Sequence, residues 1–283
     1  MTAMRRRKIA MENNHAVPRA LAVMTGYKAF EPDLTCRGKQ YTPHTWHKEQ
    51  GATEICRKGL MHFCRNPLDV WLYYRPIQNM RTCNLNVYAQ VVAKGTIFDD
   101  KDSPKSAATE LFVDDKLSLA QYLKLCEPYV TRTTDPNVYA INRRLLITDT
   151  VHCNVYGSNN IIIARSYECS VYGERNTIFA DNTIINTYGR DNSVYAINGS
   201  KGIRMTGSGD FAYCDTENSS IEINGNFSCV SLAGRSFVTV RGYNNVFNCK
   251  KPCRIMTLDQ YGNKVYEITP QSISQSQLLT YNS

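Results

Sequence analysis

Apolar positions recur every 16 residues between about residue 150 and residue 249 of this chain. The motif Val-Tyr-Gly-x-x-Asn occupies residues 155–160 and 171–176, and Thr-Tyr-Gly-x-x-Asn occupies residues 187–192. Each residue of a stacked coil lies over its counterpart at the ~4.8 Å spacing of paired strands, so matching columns predict a repeat architecture. Further columns at this interval are Ile162, Ile178 and Val194; Ile163, Phe179, Tyr195 and Phe211; and Ala164, Ala180, Ala196 and Ala212.

A coil of 16 residues is too short for two helices and suits two or three short strands joined by tight turns. Glycine and asparagine would take the positive-φ positions in those turns. The sequence therefore predicts an all-β solenoid (β-helix), right- or left-handed, over residues 131–255, with six or seven coils and a length of roughly 30 Å. The coil around Val138 is offset by one residue. After Gly207 the interval is kept only by Ile221 with Phe237 and by Val230 with Val246.

Residues 25–130 lack the repeat and predict a small α+β domain ahead of the solenoid. Asn66 is a strong N-cap, Pro67 is favoured in the first turn and Asp69 faces the positive end of the helix dipole. A helix is therefore expected from this point to about Tyr74, with Leu68, Val70, Trp71, Leu72 and Tyr74 on a buried face. A second helix is expected near residues 118–125.

The two ends of the chain are predicted to lie outside these domains. Residues 1–24 form a basic segment that is expected to be disordered. Residues 256–283 form a C-terminal strand or tail. This tail is expected to add a strand at 264–268, to stay loose, or to pair with a second copy in a homodimer through the open end of the solenoid.

Charge and cysteine content narrow the functional classes. The chain has 33 Lys and Arg against 25 Asp and Glu, and the run Arg5, Arg6, Arg7 and Lys8 supplies half of that excess. The remainder of the chain is only mildly basic. This weakens the case for nucleic-acid binding, because such binding needs basic side chains clustered on one face. The 11 cysteines have no framework spacing, as is typical of a reducing cytoplasm. No stretch reaches the ~18 apolar residues of a membrane span, so no membrane partner is expected.

No set of residues in the sequence forms a recognisable catalytic apparatus, and neither a cofactor nor a metal is expected. A zinc site needs four ligands in tetrahedral array, usually with pairs such as Cys-x-x-Cys. Isolated cysteine and histidine side chains are usually structural. The metal-type residues that lack such spacing are His44, His47, Cys56, His62 and Cys64.

Several runs in the first domain carry a family pattern. They are Gly26 to Phe30, Cys36-Arg37-Gly38 with Tyr41, Gly59 to Cys64, Asn66 to Val70, Tyr73-Tyr74, Val91 to Gly95 and Ala107-Ala108. Together they resemble an N-terminal domain of unknown function shared by many phage and prophage proteins. In this chain two residues separate Gly59 from His62, one more than in the Gly-Phe-His of the family. The resemblance implies origin in a mobile genetic element and implies no established chemistry.

The candidate binding residues are three tyrosines of the repeat. Tyr156, Tyr172 and Tyr188 are predicted to stack as a vertical ladder on one sheet face. Such a ladder can bind a protein partner or stack nucleic-acid bases, and it also stabilises a solenoid without any ligand. The asparagines of the motif, at positions 160, 176 and 192, are expected to be structural.

The leading hypothesis is a phage-encoded, non-enzymatic interaction protein in the cytoplasm of a bacterial host. Its most specific version is an inhibitor of a host defence system that binds a host protein directly. One alternative is an enzyme of ADP-ribosyltransferase type, because Arg37-Gly38 followed by Tyr73-Tyr74 is similar in order to that scaffold and Glu110 is the acid available. Another is nucleic-acid binding through residues 5–8 and the tyrosines.

Overall fold

The computed structural model describes residues 23–51, 59–77, 85–200, 202–259, 262–268 and 271–274. These residues form two compact units. The first belongs to Met1–Tyr73 and Tyr88–Lys116, and the second to Tyr74–Val87 and Leu117–Ser283. Of the segment 1–24 that is predicted to be disordered, residues 1–22, with Arg5, Arg6, Arg7 and Lys8, lie outside the described residues, whereas Met24 begins a strand.

Strands dominate the first unit. One five-stranded sheet has the order β4-β7-β5-β1-β6, and β6 also pairs with β7, so β7, β5, β1 and β6 close into a ring. Small β2 and β3 form a separate hairpin. The elements are β1 Met24–Phe30, β2 Thr35–Cys36, β3 Lys39–Gln40, β4 Thr45–Lys48, β5 Met61–Cys64, α1 Pro67–Val70, β6 Val87–Asp99 and β7 Lys105–Leu117.

Helix α1 begins where the sequence predicts and ends earlier than predicted. The Asn66 side chain caps it by accepting a hydrogen bond from the Leu68 amide at 2.9 Å. Beyond Val70, each amide up to Tyr73 donates to the carbonyl three residues back, so the α-helical pattern gives way to tighter turns. The predicted burial of Leu72 is wrong, because its side chain is 62% exposed.

The second unit begins with helix α2, Leu119–Cys126, and a 3₁₀ turn, Glu127–Tyr129. Ser118 and Gln121 cap α2 reciprocally, which places the second predicted helix within one residue of its expected start. Strands make up the rest: β8 Thr131–Thr133, β9 Asn137–Ile141, β10 Arg144–Thr148, β11 His152–Ser158, β12 Ile161–Arg165, β13 Glu168–Glu174, β14 Thr177–Asp181, β15 Ile184–Arg190, β16 Ser193–Ile197, β17 Gly202–Ser208, β18 Phe211–Cys214, β19 Ser219–Asn226, β20 Cys229–Leu232, β21 Ser236–Arg241, β22 Val246–Cys249, β23 Cys253–Asp259, β24 Gly262–Ile268 and β25 Gln271–Ser274.

These strands form the predicted solenoid, with about 7 turns and two strands in each coil. Sheet I contains the even-numbered strands β8 to β22 and ends with β25. Sheet II contains the odd-numbered strands β9 to β23 and ends with β24. Inward side chains of both sheets pack into one core, in which Val155, Ile162 and Ala164 are fully buried.

The predicted interval of 16 residues holds only in the middle of the solenoid. Val155 pairs with Val171 at this interval, whereas Val138 pairs with Val155, which confirms the upstream offset of one residue. Ala196 pairs with Cys214 and Tyr195 with Tyr213, both 18 residues later. The predicted columns through Ala212 and Phe211 are therefore wrong, since these residues pair with Val194 and Ser193.

Later coils have 17 residues, so the two remaining predicted pairs are also wrong. Ile221 pairs with Val238 rather than Phe237, and Val230 pairs with Phe247 rather than Val246. The added residues enter the turns from sheet I to sheet II. Two residues separate β14 from β15, whereas four separate β16 from β17. A longer turn changes the interval in the sequence, while each strand still stacks in register on the strands beside it.

The final strands reverse direction. β24 pairs antiparallel with β23, and β25 pairs antiparallel with β22. Of the alternatives for the C-terminal segment, the structure shows the added strand, which contains the predicted range 264–268. A homodimer through this end stays a prediction.

Candidate functional site

The three predicted tyrosines stack on the outer face of sheet II, and Tyr139 extends the stack by one ring. Ring centroids are 5.0 Å apart between Tyr139 and Tyr156, 4.9 Å between Tyr156 and Tyr172, and 4.8 Å between Tyr172 and Tyr188. Adjacent ring planes lie within 17° of each other. We call these four residues the tyrosine ladder. Tyr139 falls outside the 16-residue column only because its coil is longer by one residue.

A column of glycines directly follows the ladder and sets the spacing of the coils there. Gly157, Gly173 and Gly189 have φ values of 140°, 135° and 142°. A Cβ on Gly173 would lie 2.0 Å from the Gly157 carbonyl oxygen, and one on Gly189 would lie 1.9 Å from the Gly173 oxygen. Only glycine allows this approach, so the motif couples a tight backbone contact to each stacked ring.

The ladder is partly exposed to solvent along its whole length. Tyr139 is 80% exposed and Tyr188 is 40% exposed, whereas the two inner rings are half-buried. Each inner ring has both faces against neighbouring rings, so it has no free face for a nucleic-acid base to stack on. This geometry suits a protein partner better than a single strand of nucleic acid.

Charges beside the ladder are mixed in sign. Glu174 accepts hydrogen bonds from Arg190 at 2.6 Å and from Arg175 at 2.7 Å. One carboxylate is thus shared by two arginines, which leaves one excess positive charge among these three side chains. A nucleic-acid surface would require an excess of unpaired basic groups along the face, so these contacts do not favour that alternative.

The opposite outer face, on sheet I, is covered. Its aromatic column includes Phe179, Tyr195 and Tyr213, all at most 4% exposed. Tyr195 also has a hydrogen bond to the backbone of Ile77, which belongs to the same unit. Burial raises the pKa of Tyr195 to about 12. Of these two aromatic columns, the tyrosine ladder is the one that reaches solvent.

The asparagines of the motif are structural, as predicted. They lie buried where the chain passes from sheet II to sheet I. The Asn160 amide donates to Asn176 Oδ1 at 3.0 Å, and the Asn176 amide donates to Asn192 Oδ1 at 3.1 Å. Nδ2 of Asn176 donates to the Gly157 carbonyl, and Nδ2 of Asn192 to the Gly173 carbonyl, both at 3.0 Å.

Asp210 occupies the next position of this asparagine column. Its Oδ1 accepts from the Asn192 amide at 2.8 Å. Its Oδ2 is buried and has no hydrogen-bond partner among the described residues. Burial raises the pKa of Asp210 to about 6, with a smaller contribution from the Asp191 carboxylate.

The metal-type residues do not converge. His44 Nε2 lies 2.8 Å from Asp115, and the His47 ring packs against Tyr41 at 4.9 Å. Cys56 lies outside the described residues. Over the part of the chain that the structure covers, no group of three or more His, Cys, Asp and Glu side chains could hold a metal ion. Within that same part, no helix is long and apolar enough to cross a membrane.

The residues nominated for an ADP-ribosyltransferase have separate surroundings. Arg37 is not on a strand: with φ values of 52° and 76°, Arg37 and Gly38 form the turn of the β2–β3 hairpin. Glu110 lies on β7, 3.5 Å from both Lys48 and Lys94. Neither Glu110 nor Tyr73 lines the cavity beside Arg37.

That cavity is a second candidate site, and it lies in the first unit. Its volume is about 470 Å³. Most of its walls come from the runs that carry the phage-family resemblance. The sequence did not predict that these runs meet around one cavity. The lining residues are Lys28, Cys36, Arg37, Gly38, Lys39, Tyr41, Glu49, Gly59, Leu60, Met61 and His62.

Lys28 forms the floor of this cavity and is 6% exposed. Its Nζ donates to the His62 carbonyl at 2.9 Å, lies 3.4 Å from Cys36 Sγ and sits 5.3 Å from the centre of the Tyr41 ring. Burial lowers the pKa of Lys28. Burial, assisted by the charges of Lys28 and Arg37, also lowers the pKa of the His62 side chain to about 4. Burial thus disfavours the charged form of both side chains, and His62 is neutral at neutral pH.

Residues 24–125 match the model of a family described as a domain of unknown function (DUF7666). The match covers about a third of the chain. It includes the cavity and leaves the tyrosine ladder outside. No curated protein and no solved structure matches the chain. The match brings no activity with it, and a phage origin stays a prediction.

Proposed function

We propose that this chain is a non-enzymatic interaction protein that binds a protein partner through the tyrosine ladder. The observation that supports this most directly is the stack of four tyrosines whose end ring, Tyr139, is 80% exposed. Tyrosine offers a large apolar area and a hydroxyl group, and it is enriched among the residues that dominate interface energies.

Stacking also prepares the ladder for binding. Rings held 4.8 to 5.0 Å apart have already lost rotamer freedom when the solenoid folds. Immobilising a free side chain at an interface costs about 0.5–1.5 kcal/mol, so a preordered column binds at a lower entropic cost.

Removing the two inner rings should weaken partner capture. The double variant Tyr156→Ser/Tyr172→Ser is expected to weaken binding of a captured partner about 30-fold or more, because buried interface tyrosines commonly contribute about 2 kcal/mol. Tagged protein would be used to capture partners from bacterial lysate, and the affinity of the identified partner would be measured by calorimetry.

Tyr243→Ser is the matched control, since Tyr243 is 57% exposed and lies outside the ladder. It should retain the partner. Equal binding by the double variant and the control would contradict the proposal. The double variant loses all three stacked contacts of the ladder, each worth about 0.5–1.5 kcal/mol, so circular dichroism must accompany the binding measurement to establish that this variant is folded.

The more specific form of the proposal is a phage-encoded inhibitor of a host defence system, with a host protein as partner in the bacterial cytoplasm. The sequence resemblance of the first domain to phage and prophage proteins supports it. The chain would be expressed in a strain whose defence system contains the captured partner. It should raise the plating efficiency of a phage that this system restricts, and the double variant Tyr156→Ser/Tyr172→Ser should not raise it. If plating efficiency does not change in a strain from which the partner protein is captured, the chain is not an inhibitor of that defence system.

A further inference from the structure

We propose that the cavity of the first unit binds a small anionic molecule through Lys28 and Arg37. This site is separate from the tyrosine ladder and needs no partner protein. The ligand would carry a phosphate or carboxylate group on an apolar or aromatic body.

The charge balance of the cavity supports an anion. Among the described residues that line it, three are basic, Lys28, Arg37 and Lys39, and one is a carboxylate, Glu49. Glu49 forms its ion pair with Lys39. Within the described residues, neither Lys28 nor Arg37 has a carboxylate within ion-pair distance. Two positive groups thus face the cavity without a counter-ion from the described chain.

Lys28 is held in place by its neighbours and keeps one donor available. An ammonium group donates three hydrogen bonds. The His62 carbonyl and Cys36 Sγ take two of them, and no described residue accepts the third. A buried ammonium without a counter-charge costs several kcal/mol, so a bound anion would recover part of that cost.

Arg37 stands at the rim where a ligand enters. The β2–β3 turn holds its backbone at a positive φ, and its side chain is exposed. A Cβ built on the adjacent Gly38 would meet no atom within 4 Å, which shows open space at the turn. The guanidinium group can grip a phosphate or a carboxylate with two parallel hydrogen bonds.

Size and wall chemistry define the rest of the ligand. A cavity of about 470 Å³ lies within the range of ~300–1,000 Å³ that is typical of small-molecule sites. Tyr41, Leu60 and Met61 supply apolar walls. The ligand is therefore expected to combine a compact apolar part with one anionic group.

Two probes that share a ring and differ in charge group test the site. Phenyl phosphate and benzoate would be titrated separately into the full-length protein by isothermal titration calorimetry. We expect saturable binding of one molecule of at least one probe per chain. The tighter of the two identifies phosphate or carboxylate as the natural group.

Arg37→Ala and Lys28→Met should each weaken that binding about tenfold, because a hydrogen bond to a charged group contributes about 1.5 kcal/mol or more. Lys101→Ala removes an exposed cation of the same unit and should leave binding unchanged. No saturable binding of either probe at millimolar concentration, or binding that survives both Arg37→Ala and Lys28→Met, would overturn the proposal. The variant Tyr156→Ser/Tyr172→Ser should bind the probe normally, so this test and that of the ladder fail independently.

Lys28→Met is also expected to keep or raise the melting temperature of the protein, because methionine fills the same volume and removes a buried charge. Differential scanning calorimetry checks this. If Lys28→Met fails to fold, Arg37→Ala, which changes an exposed turn residue, decides the binding proposal alone.

Discussion

Replacement of Gly173 by alanine is expected to lower the free energy of unfolding by about 4 kcal/mol or more. The new Cβ would lie 2.0 Å from the Gly157 carbonyl oxygen, far inside van der Waals contact. The backbone φ of 135° is also one that alanine rarely adopts. Strand β13, which carries Gly173, cannot move aside, because it pairs with β11 on one side and with β15 on the other.

Denaturant unfolding followed by circular dichroism measures the effect, and Gly199→Ala is the matched control. Gly199 has a φ of 83°, and a Cβ there would meet no atom within 4 Å. Its substitution should therefore cost only the backbone term of about 1 kcal/mol. A loss in Gly173→Ala no larger than that in Gly199→Ala would show that the close approach of the coils is not required for the fold.

Replacement of Asp210 by asparagine is expected to raise the free energy of unfolding by about 3 kcal/mol at neutral pH. Asparagine would restore the pattern of the column, since Nδ2 could donate to the carbonyl of the preceding coil as it does in Asn176 and Asn192. The ionised aspartate has no proton to donate there, and its Oδ2 stays unpaired among the described residues.

The same substitution should remove a pH dependence. Burial raises the pKa of Asp210 from an ordinary value near 3.8 to about 6, so the folded state holds the proton more tightly than the unfolded state. Its contribution to stability is therefore complete below about pH 4, falls as the pH rises towards 6 and is lost above that. The hydrogen bond from Ser103 lowers the pKa of Asp100, so that group contributes to stability with the opposite sign.

Unfolding curves of the wild type and Asp210→Asn at several pH values isolate this term, because other carboxyl groups contribute equally to both proteins. The stability difference should be small near pH 4 and largest above pH 6. Asp191→Asn, at the neighbouring exposed carboxylate, should produce a much smaller change. A difference between wild type and Asp210→Asn that does not vary with pH would contradict the assignment.

Local signals predicted a large part of this structure. The Val-Tyr-Gly-x-x-Asn motif indicated stacked coils because each of its residues repeats its own environment one coil later, as Tyr156 over Tyr172 and Asn160 over Asn176 show. Asn66 marked a helix start because a cap acts on an amide two residues away. Tyr139 was not predicted as part of the ladder, because it lies one residue outside the 16-residue column of Tyr156, Tyr172 and Tyr188.

Longer-range features could not be predicted in this way. The register after Gly207 depends on how many residues each turn holds, and turns absorb insertions at little cost. The predicted columns through Phe211 and Ala212 failed for this reason. The isolation of Asp210 Oδ2 likewise depends on the carbonyls of a neighbouring coil.

The sequence by itself determined the solenoid, its ladder and its asparagine column, because the interactions that build them repeat along the chain. Only the tertiary structure decided the cavity of the first unit. Lys28, Cys36 and His62 are separated by up to 34 residues, and they meet because β1 pairs with β5 and the β2–β3 hairpin folds beside them. Strand pairing between distant segments leaves no periodic trace in a sequence, so a site that depends on it becomes visible only in the folded chain.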